Sequence, residues 1–150
     1  MRRIMLLVAV ALVMTAMMAA SALPAIAQNT GVQSPGATCS EATLQGTYRF
    51  DYDGYQVSGN TLVPFSLEGY EVYDGNGNVS GVATTTENGQ IVGRNEPFSG
   101  TYNVNPNCTG TVTYTDGTRY RQFIQPDGSG FFFVQTAPAG VVASGFEQRV

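Results

Sequence analysis

Histidine is absent from the 150 residues. With it go the Ser-His-Asp and Cys-His nucleophile systems, the imidazole general base and His-ligated zinc. The side chains left for chemistry are eleven carboxylates, eight tyrosines, two cysteines and seven arginines. Two carboxylate pairs have the spacing of acid–base groups acting on a glycoside, Asp51 with Asp53 and Glu68 with Glu71. Asp51 and Asp53 alternate out of step with the aromatic residues around them, which sends both to solvent. Glu68 alternates in step with Tyr70 and Val72, so it is the acid whose local pattern points inward. Buried there, its pKa would rise through desolvation and it would serve as a general acid or base; a rim or surface carboxylate is the preferred reading. These residues form no recognisable catalytic constellation, and they imply no cofactor.

The aromatic residues are the second chemical resource. Tyr48, Phe50, Tyr52, Tyr70, Tyr102, Tyr114 and Tyr120 fall on expected inner faces together with Glu68, and Phe131-Phe132-Phe133 places rings on both sides of one strand. Two readings of this set stay open. The rings line a pocket for one small apolar molecule, which the tyrosine hydroxyls orient, or they fill the interior as plain core. Arg119 and Arg121 flank Tyr120 and read as outward, solubilising charges. Asp74-x-Asn76-x-Asn78 has the opening spacing of a calcium loop, but Val79 stands where that loop needs Gly and Thr85 where it needs Glu. A hairpin turn is the better reading, and no metal is expected.

Composition places these residues in a compartment. All five Met lie in the first 27 residues and all 18 Gly lie beyond them. Arg2 and Arg3, the apolar run Ile4 to Ala22, and Pro24 before Ala25-Ile26-Ala27 have the form of a cleaved secretory signal, residues 1–27, ending before Gln28. No membrane association is expected after cleavage, and the location is secreted or periplasmic. The remaining 123 residues carry five Arg against eleven acids, a net charge of −6. That balance excludes a nucleic-acid partner bound by phosphate neutralisation. Residues 28–38 have Gly, Pro and small polar residues without periodicity and read as a flexible lead-in, with one domain over 39–150. Cys39 and Cys108 are the only cysteines. In an oxidising compartment two thiols pair, so a disulfide is expected.

The elements that must position these side chains are strands. From Leu44 onward the pattern has period two, broken by Gly, Asn, Asp and Pro clusters. Gly46, Tyr48, Phe50 and Tyr52 share one face, while Thr47, Arg49, Asp51 and Asp53 share the other. In Thr109 to Thr115 four Thr alternate with Gly110, Val112 and Tyr114. Further strands are expected near 61–73, 78–86, 90–94, 98–104, 118–125, 131–136 and 141–149, with no amphipathic helix. About eight or nine strands joined by tight turns predict an all-β domain, a single antiparallel up-and-down barrel of about eight strands, with a β-sandwich as the alternative. The absence of Trp argues against an immunoglobulin sandwich.

Four segments carry a resemblance. They are Cys39-Ser40, Thr43-Leu44-x-Gly46-Thr47-Tyr48-x-Phe50, Asp74-Gly75-Asn76-Gly77-Asn78-Val79-Ser80-Gly81, and Ser99-Gly100-Thr101-Tyr102-x-Val104-Asn105-x-x-Cys108-Thr109-Gly110-Thr111. Together they resemble small secreted bacterial proteins of the allene oxide cyclase barrel-like group, which is related in shape to calycins. The resemblance implies an eight-stranded barrel, a secreted location and a pattern that includes both cysteines. It supplies no activity, and no catalytic residue of the true cyclases maps onto this chain. Three functions are compatible with these residues: a carrier of a small apolar ligand, a cofactor-free cyclase or isomerase, and a filled barrel acting through its surface.

Overall fold

The computed structural model describes residue 36 and residues 38–150. The expected signal segment 1–27, and all of the lead-in 28–38 except residues 36 and 38, lie outside the described residues. A 3-10 turn, Glu41–Leu44, is followed by β1 (Gly46–Ser58), β2 (Thr61–Tyr73), β3 (Asn78–Glu87), β4 (Gln90–Val104), β5 (Thr109–Tyr114), β6 (Arg119–Ile124), β7 (Gly130–Ala137) and β8 (Val141–Arg149). Each strand pairs antiparallel with the next, and β8 pairs back to β1, so the sheet is a closed up-and-down barrel. The barrel expectation is met and the sandwich alternative is not. Strands expected separately at 90–94 and 98–104 are one strand, β4. The interruption read at Asn95–Pro97 is an irregularity in the β3–β4 ladder, where the register slips near Thr85 and Asn95 takes a φ of 50°.

Alternation builds the interior. Tyr48, Phe50 and Tyr52 are buried while Arg49, Asp51 and Asp53 are exposed, and Phe131 and Phe133 are buried while Phe132 is 60% exposed. Phe132 packs outside the barrel on Phe146, with ring centroids 4.8 Å apart. Eight strands enclose a space only just wide enough for side chains, so large rings on one strand need small residues on its neighbours. Gly69 faces Phe50 in the β1–β2 register, and a Cβ at Gly69 would lie 3.0 Å from the Phe50 ring. A Cβ at Gly145 would collide with the Phe133 ring. These glycines hold no turn; they admit the close approach of a neighbouring strand's carbonyl, Val82 O at Gly69 and Asp51 O at Gly145, and leave room for the rings.

One end of the barrel is covered by the 3-10 turn. Leu44 is fully buried against that end, where Tyr48, Tyr73, Tyr102 and Phe131 pack edge-to-face or tilted at centroid distances of 4.9 to 5.8 Å. The hydroxyls at this end are bonded by the cover and by the strands' own connections: Tyr48 donates to the Gly128 carbonyl at 2.7 Å. Tyr102 donates to the Glu41 carbonyl at 2.9 Å, and Arg149 donates to the Tyr48 hydroxyl at 2.8 Å and to the Thr43 carbonyl at 2.7 Å. The turn is anchored by the expected disulfide, Cys39–Cys108, which joins it to the β4–β5 connection across 69 residues of sequence.

That loop length sets the expected effect of losing the bond. Closing it restricts the unfolded chain by roughly 4 kcal/mol in the chain-entropy treatment. The double substitution Cys39→Ala with Cys108→Ala is expected to lower the unfolding free energy by about that amount in urea titrations. An unchanged unfolding free energy would show that the cover stays in place without it.

Candidate functional site

The opposite half of the barrel contains a cavity of about 330 Å³. Its walls are aromatic and aliphatic: Phe50 and Tyr52 from β1, Phe98 from β4, Tyr114 from β5, Tyr120 from β6 and Phe133 from β7, with Leu67, Ala83 and Val112 between them. The rings form a continuous lattice. Tyr120 stands edge-on to Tyr52, Phe133 and Tyr114 at 5.3, 5.2 and 5.7 Å, and Phe98 meets Tyr114 at 5.3 Å. Thr85, Glu96, Pro97, Thr115, Asp116 and Thr118 also line the cavity, as its mouth.

Toward the covered end, three polar residues complete the lining: Glu71 from β2, Gln122 from β6 and Glu147 from β8. All three are buried, at 3%, 0% and 3% exposure. Tyr73 donates its hydroxyl to Glu71 Oε2 at 2.7 Å, and Tyr114 donates to Glu71 Oε1. Glu147 Oε1 lies 3.5 Å from the same Tyr73 hydroxyl, to which Gln122 Nε2 donates at 3.4 Å. Glu147 Oε2 and Gln122 Oε1 are buried without a hydrogen-bond partner. Unpaired buried polar atoms are rare, because each costs on the order of 1–3 kcal/mol.

The electrostatics follow from burial without a counter-charge. Desolvation raises the pKa of Glu71, although hydrogen bonds from Tyr114, Tyr73 and the Glu147 carboxyl work against it. Desolvation raises Glu147 well above the usual carboxylate value, and the neighbouring Glu71 charge adds to that. Glu147 is therefore the group that holds a proton most firmly, and Glu71, with two hydroxyl donors, is the more acidic of the two. Burial also pushes up the hydroxyls of Tyr73, Tyr114 and Tyr120, which act as neutral donors at any ordinary pH.

Of the residues singled out in the sequence, Phe50, Tyr52, Tyr114 and Tyr120 line the cavity. Tyr48 and Tyr102 face inward but belong to the covered end. Glu68 and Tyr70 do not join them: both are exposed, Tyr70 at 51%. The register gives the reason. Directly opposed residues of antiparallel strands share a face, and Tyr48, Phe50 and Tyr52 oppose Glu71, Gly69 and Leu67. The odd positions of β2 thus turn inward and Glu68, Tyr70 and Val72 turn out. The hairpin turn Gly59-Asn60 between Ser58 and Thr61 fixes this register, so the signal for Glu71 was local. Glu147 had a weaker one: it opposes Phe131 of the adjacent β7 as well as Phe50 at the far end of the chain, but the β7–β8 pairing ends at Val134 opposite Ser144 and no two-residue turn fixes its register. Asp74 is used within its turn, accepting from the Asn76 and Asn78 backbone amides at 2.7 and 2.9 Å and from Asn78 Nδ2 at 2.7 Å. Those bonds hold its carboxyl below the usual range.

Comparison with protein-family models and with curated proteins yields no match. Among solved structures, the chain is similar to a redesigned β-barrel at 16% identity and a TM-score of 0.41, over 73% of this chain and 94% of that one. It is similar to a de novo designed fluorescence-activating β-barrel at 14% identity and a TM-score of 0.43, over 71% and 93%. A redesigned β-barrel bound to DFHBI is similar at 18% identity and a TM-score of 0.42, over 71% and 99%.

The buried carboxyls make stability depend on pH. An acid whose native pKa exceeds its unfolded value near 4.5 keeps a proton that the unfolded chain releases. That advantage is complete below the unfolded value and is lost as pH rises toward the native one. Unfolding free energy is expected to fall across this window by up to about 1.4 kcal/mol per pH unit for each proton retained. Glu147→Gln, which mimics the protonated acid, is expected to flatten the profile and to be the more stable protein at neutral pH. A wild-type stability that climbs from pH 5 to pH 8 would contradict the assignment.

Proposed function

We propose that the chain is an exported carrier or sensor that holds one small, largely apolar molecule inside its barrel. The observation that carries this reading is the cavity itself: about 330 Å³ with aromatic walls and buried, unpartnered polar atoms on its lining. Ligand sites are typically concave, mostly apolar and provided with a few convergent polar groups, at volumes from roughly 300 Å³ upward. A barrel serving only as a scaffold would gain stability by filling this space with another side chain. Phe50, Tyr52, Tyr114 and Tyr120 are the proposed contacts from the apolar side, and Glu71, Gln122 and Glu147 from the polar side.

Action outside the cytoplasm, and membership of the allene oxide cyclase barrel-like group, are part of the same proposal. The disulfide and the eight-stranded up-and-down barrel support them. One observation favours a second reading, a cofactor-free cyclase or isomerase: the Glu71–Glu147 pair offers a retained proton beside a space for substrate.

Ala83 lines the cavity and is buried at 5% exposure. Ala83→Phe is expected to occupy the space and lower affinity for the neutral fluorescent probe N-phenyl-1-naphthylamine at least tenfold, with the circular dichroism of the barrel retained. Native mass spectrometry of protein recovered from its own export route is expected to show a co-purifying small molecule. A wild-type protein that carries nothing and binds no probe would overturn the carrier reading.

A further inference from the structure

Charge on the cavity lining points to the class of ligand. Among the described residues, four acids line the cavity, Glu71, Glu96, Asp116 and Glu147, and no arginine does. Glu71 and Glu147 are buried in its depth, while Glu96 and Asp116 stand exposed at the mouth. Arg149, on the inner side of β8, donates to the Tyr48 hydroxyl and the Thr43 carbonyl at the covered end. A neutral apolar molecule gives no use to two carboxyls that a leucine or glutamine could replace. An anion would meet repulsion at both levels. A hydrated metal ion wants six or more oxygens, whereas these walls are chiefly rings. Aromatic rings and carboxyls together are the surroundings that an organic cation prefers, through ring quadrupoles and direct charge pairing.

We propose that the cavity binds an organic cation, a quaternary or protonated amine on a compact apolar body, with its charged end toward Glu71 and Glu147. The unpartnered Gln122 Oε1, on a fully buried side chain of the cavity lining, stands with Glu147, whose carboxyl shares a hydrogen bond with Glu71, at the depth where the cation's charged end would sit. The proposal rests on the small-molecule reading above and specifies its ligand. Binding includes one exchange: the cation takes over charge compensation of the carboxyl pair, and the proton it replaces passes to solvent. The other titratable groups turned to this interior are Tyr48 and Tyr52 from β1, Tyr73 from β2, Tyr102 and Glu96 from β4, Tyr114 from β5 and Tyr120 from β6. β3 contributes Glu87, opposite Phe65 at its end, and β8 contributes Arg149, opposite Tyr48 at the covered end; β7 contributes none, and Asp116 joins from the β5–β6 connection. The tyrosines with raised pKa values stay neutral, which leaves the carboxyl pair as the group that exchanges the proton.

The test uses benzyltrimethylammonium, whose charge does not titrate, against its uncharged carbon counterpart neopentylbenzene, both measured by displacement of N-phenyl-1-naphthylamine from the intact protein. The cation is expected to bind at least tenfold tighter than the neutral compound at pH 8, and to lose affinity toward pH 5, approaching tenfold per pH unit where one proton is exchanged. Glu147→Gln and Glu71→Gln are each expected to weaken the cation at least tenfold while changing the neutral compound less than threefold. Glu68→Gln, on the outer face, is expected to change neither. Equal or tighter binding of neopentylbenzene, or a cation affinity independent of pH, would overturn the charge assignment and leave the carrier reading standing. Failure of both compounds to displace a bound probe would overturn the charge assignment too. Failure of wild-type protein to bind the probe or either compound would overturn both. The wild-type preference between the two compounds decides the matter even where a glutamine variant does not fold.

Discussion

Closure of the sheet by β8 on β1, in register from Tyr48 opposite Arg149 to Gln56 opposite Val141, is the constraint from which the other features follow. It removes every edge and divides the side chains of all eight strands into inside and outside sets. It also fixes the interior width, so the rings of Phe50 and Phe133 fit only beside Gly69 and Gly145. At the covered end the packing is complete, with Leu44, Tyr48 and Phe131 fully buried. At the other end, rings stand around a space in place of filling it. Closure brings Glu147 from the last strand to the level of Phe50 on the first, and so into the same interior as Glu71.

A carboxyl pair in such a place is destabilising in its charged form, because burial removes water and no cation among the cavity residues replaces it. The structure relieves this in two ways. Tyr73 and Tyr114 donate hydroxyls to Glu71, which supports what negative charge the pair carries. Glu147 receives less support and keeps its proton. The arrangement separates two chemically identical, equally buried side chains into an acid with two hydroxyl donors and a neutral donor, the division on which both ligand orientation and proton transfer depend.

Much of this fold was legible in the sequence because a barrel strand is half-buried. Tyr48, Phe50 and Tyr52 against Arg49, Asp51 and Asp53 announce their faces without help, as do Val112 and Tyr114 among the threonines of β5. Legibility fails where both faces are mixed. In β2 one face carries Phe65, Leu67, Glu71 and Tyr73 and the other Leu62, Glu68, Tyr70 and Val72, so composition does not choose between them. The turn chemistry does, through the register that Gly59-Asn60 imposes on the hairpin. In β8 composition misleads outright, since Phe146 faces out onto Phe132 and Glu147 faces in. The reason is long-range: Ala143 and Gly145 are the small residues that the rings of the neighbouring strands require, and Glu147 follows on their face.

Ligand binding and proton exchange in this cavity both turn on the protonation of one side chain. Carboxyl carbon NMR of protein labelled at glutamate Cδ, followed across pH, reads it directly. A glutamate signal that stays in its protonated position through neutral pH, and that disappears in Glu147→Gln, is the predicted result. All glutamates titrating together in the ordinary carboxylate range would contradict a buried, uncompensated pair, and with it the chemistry assigned to the cavity.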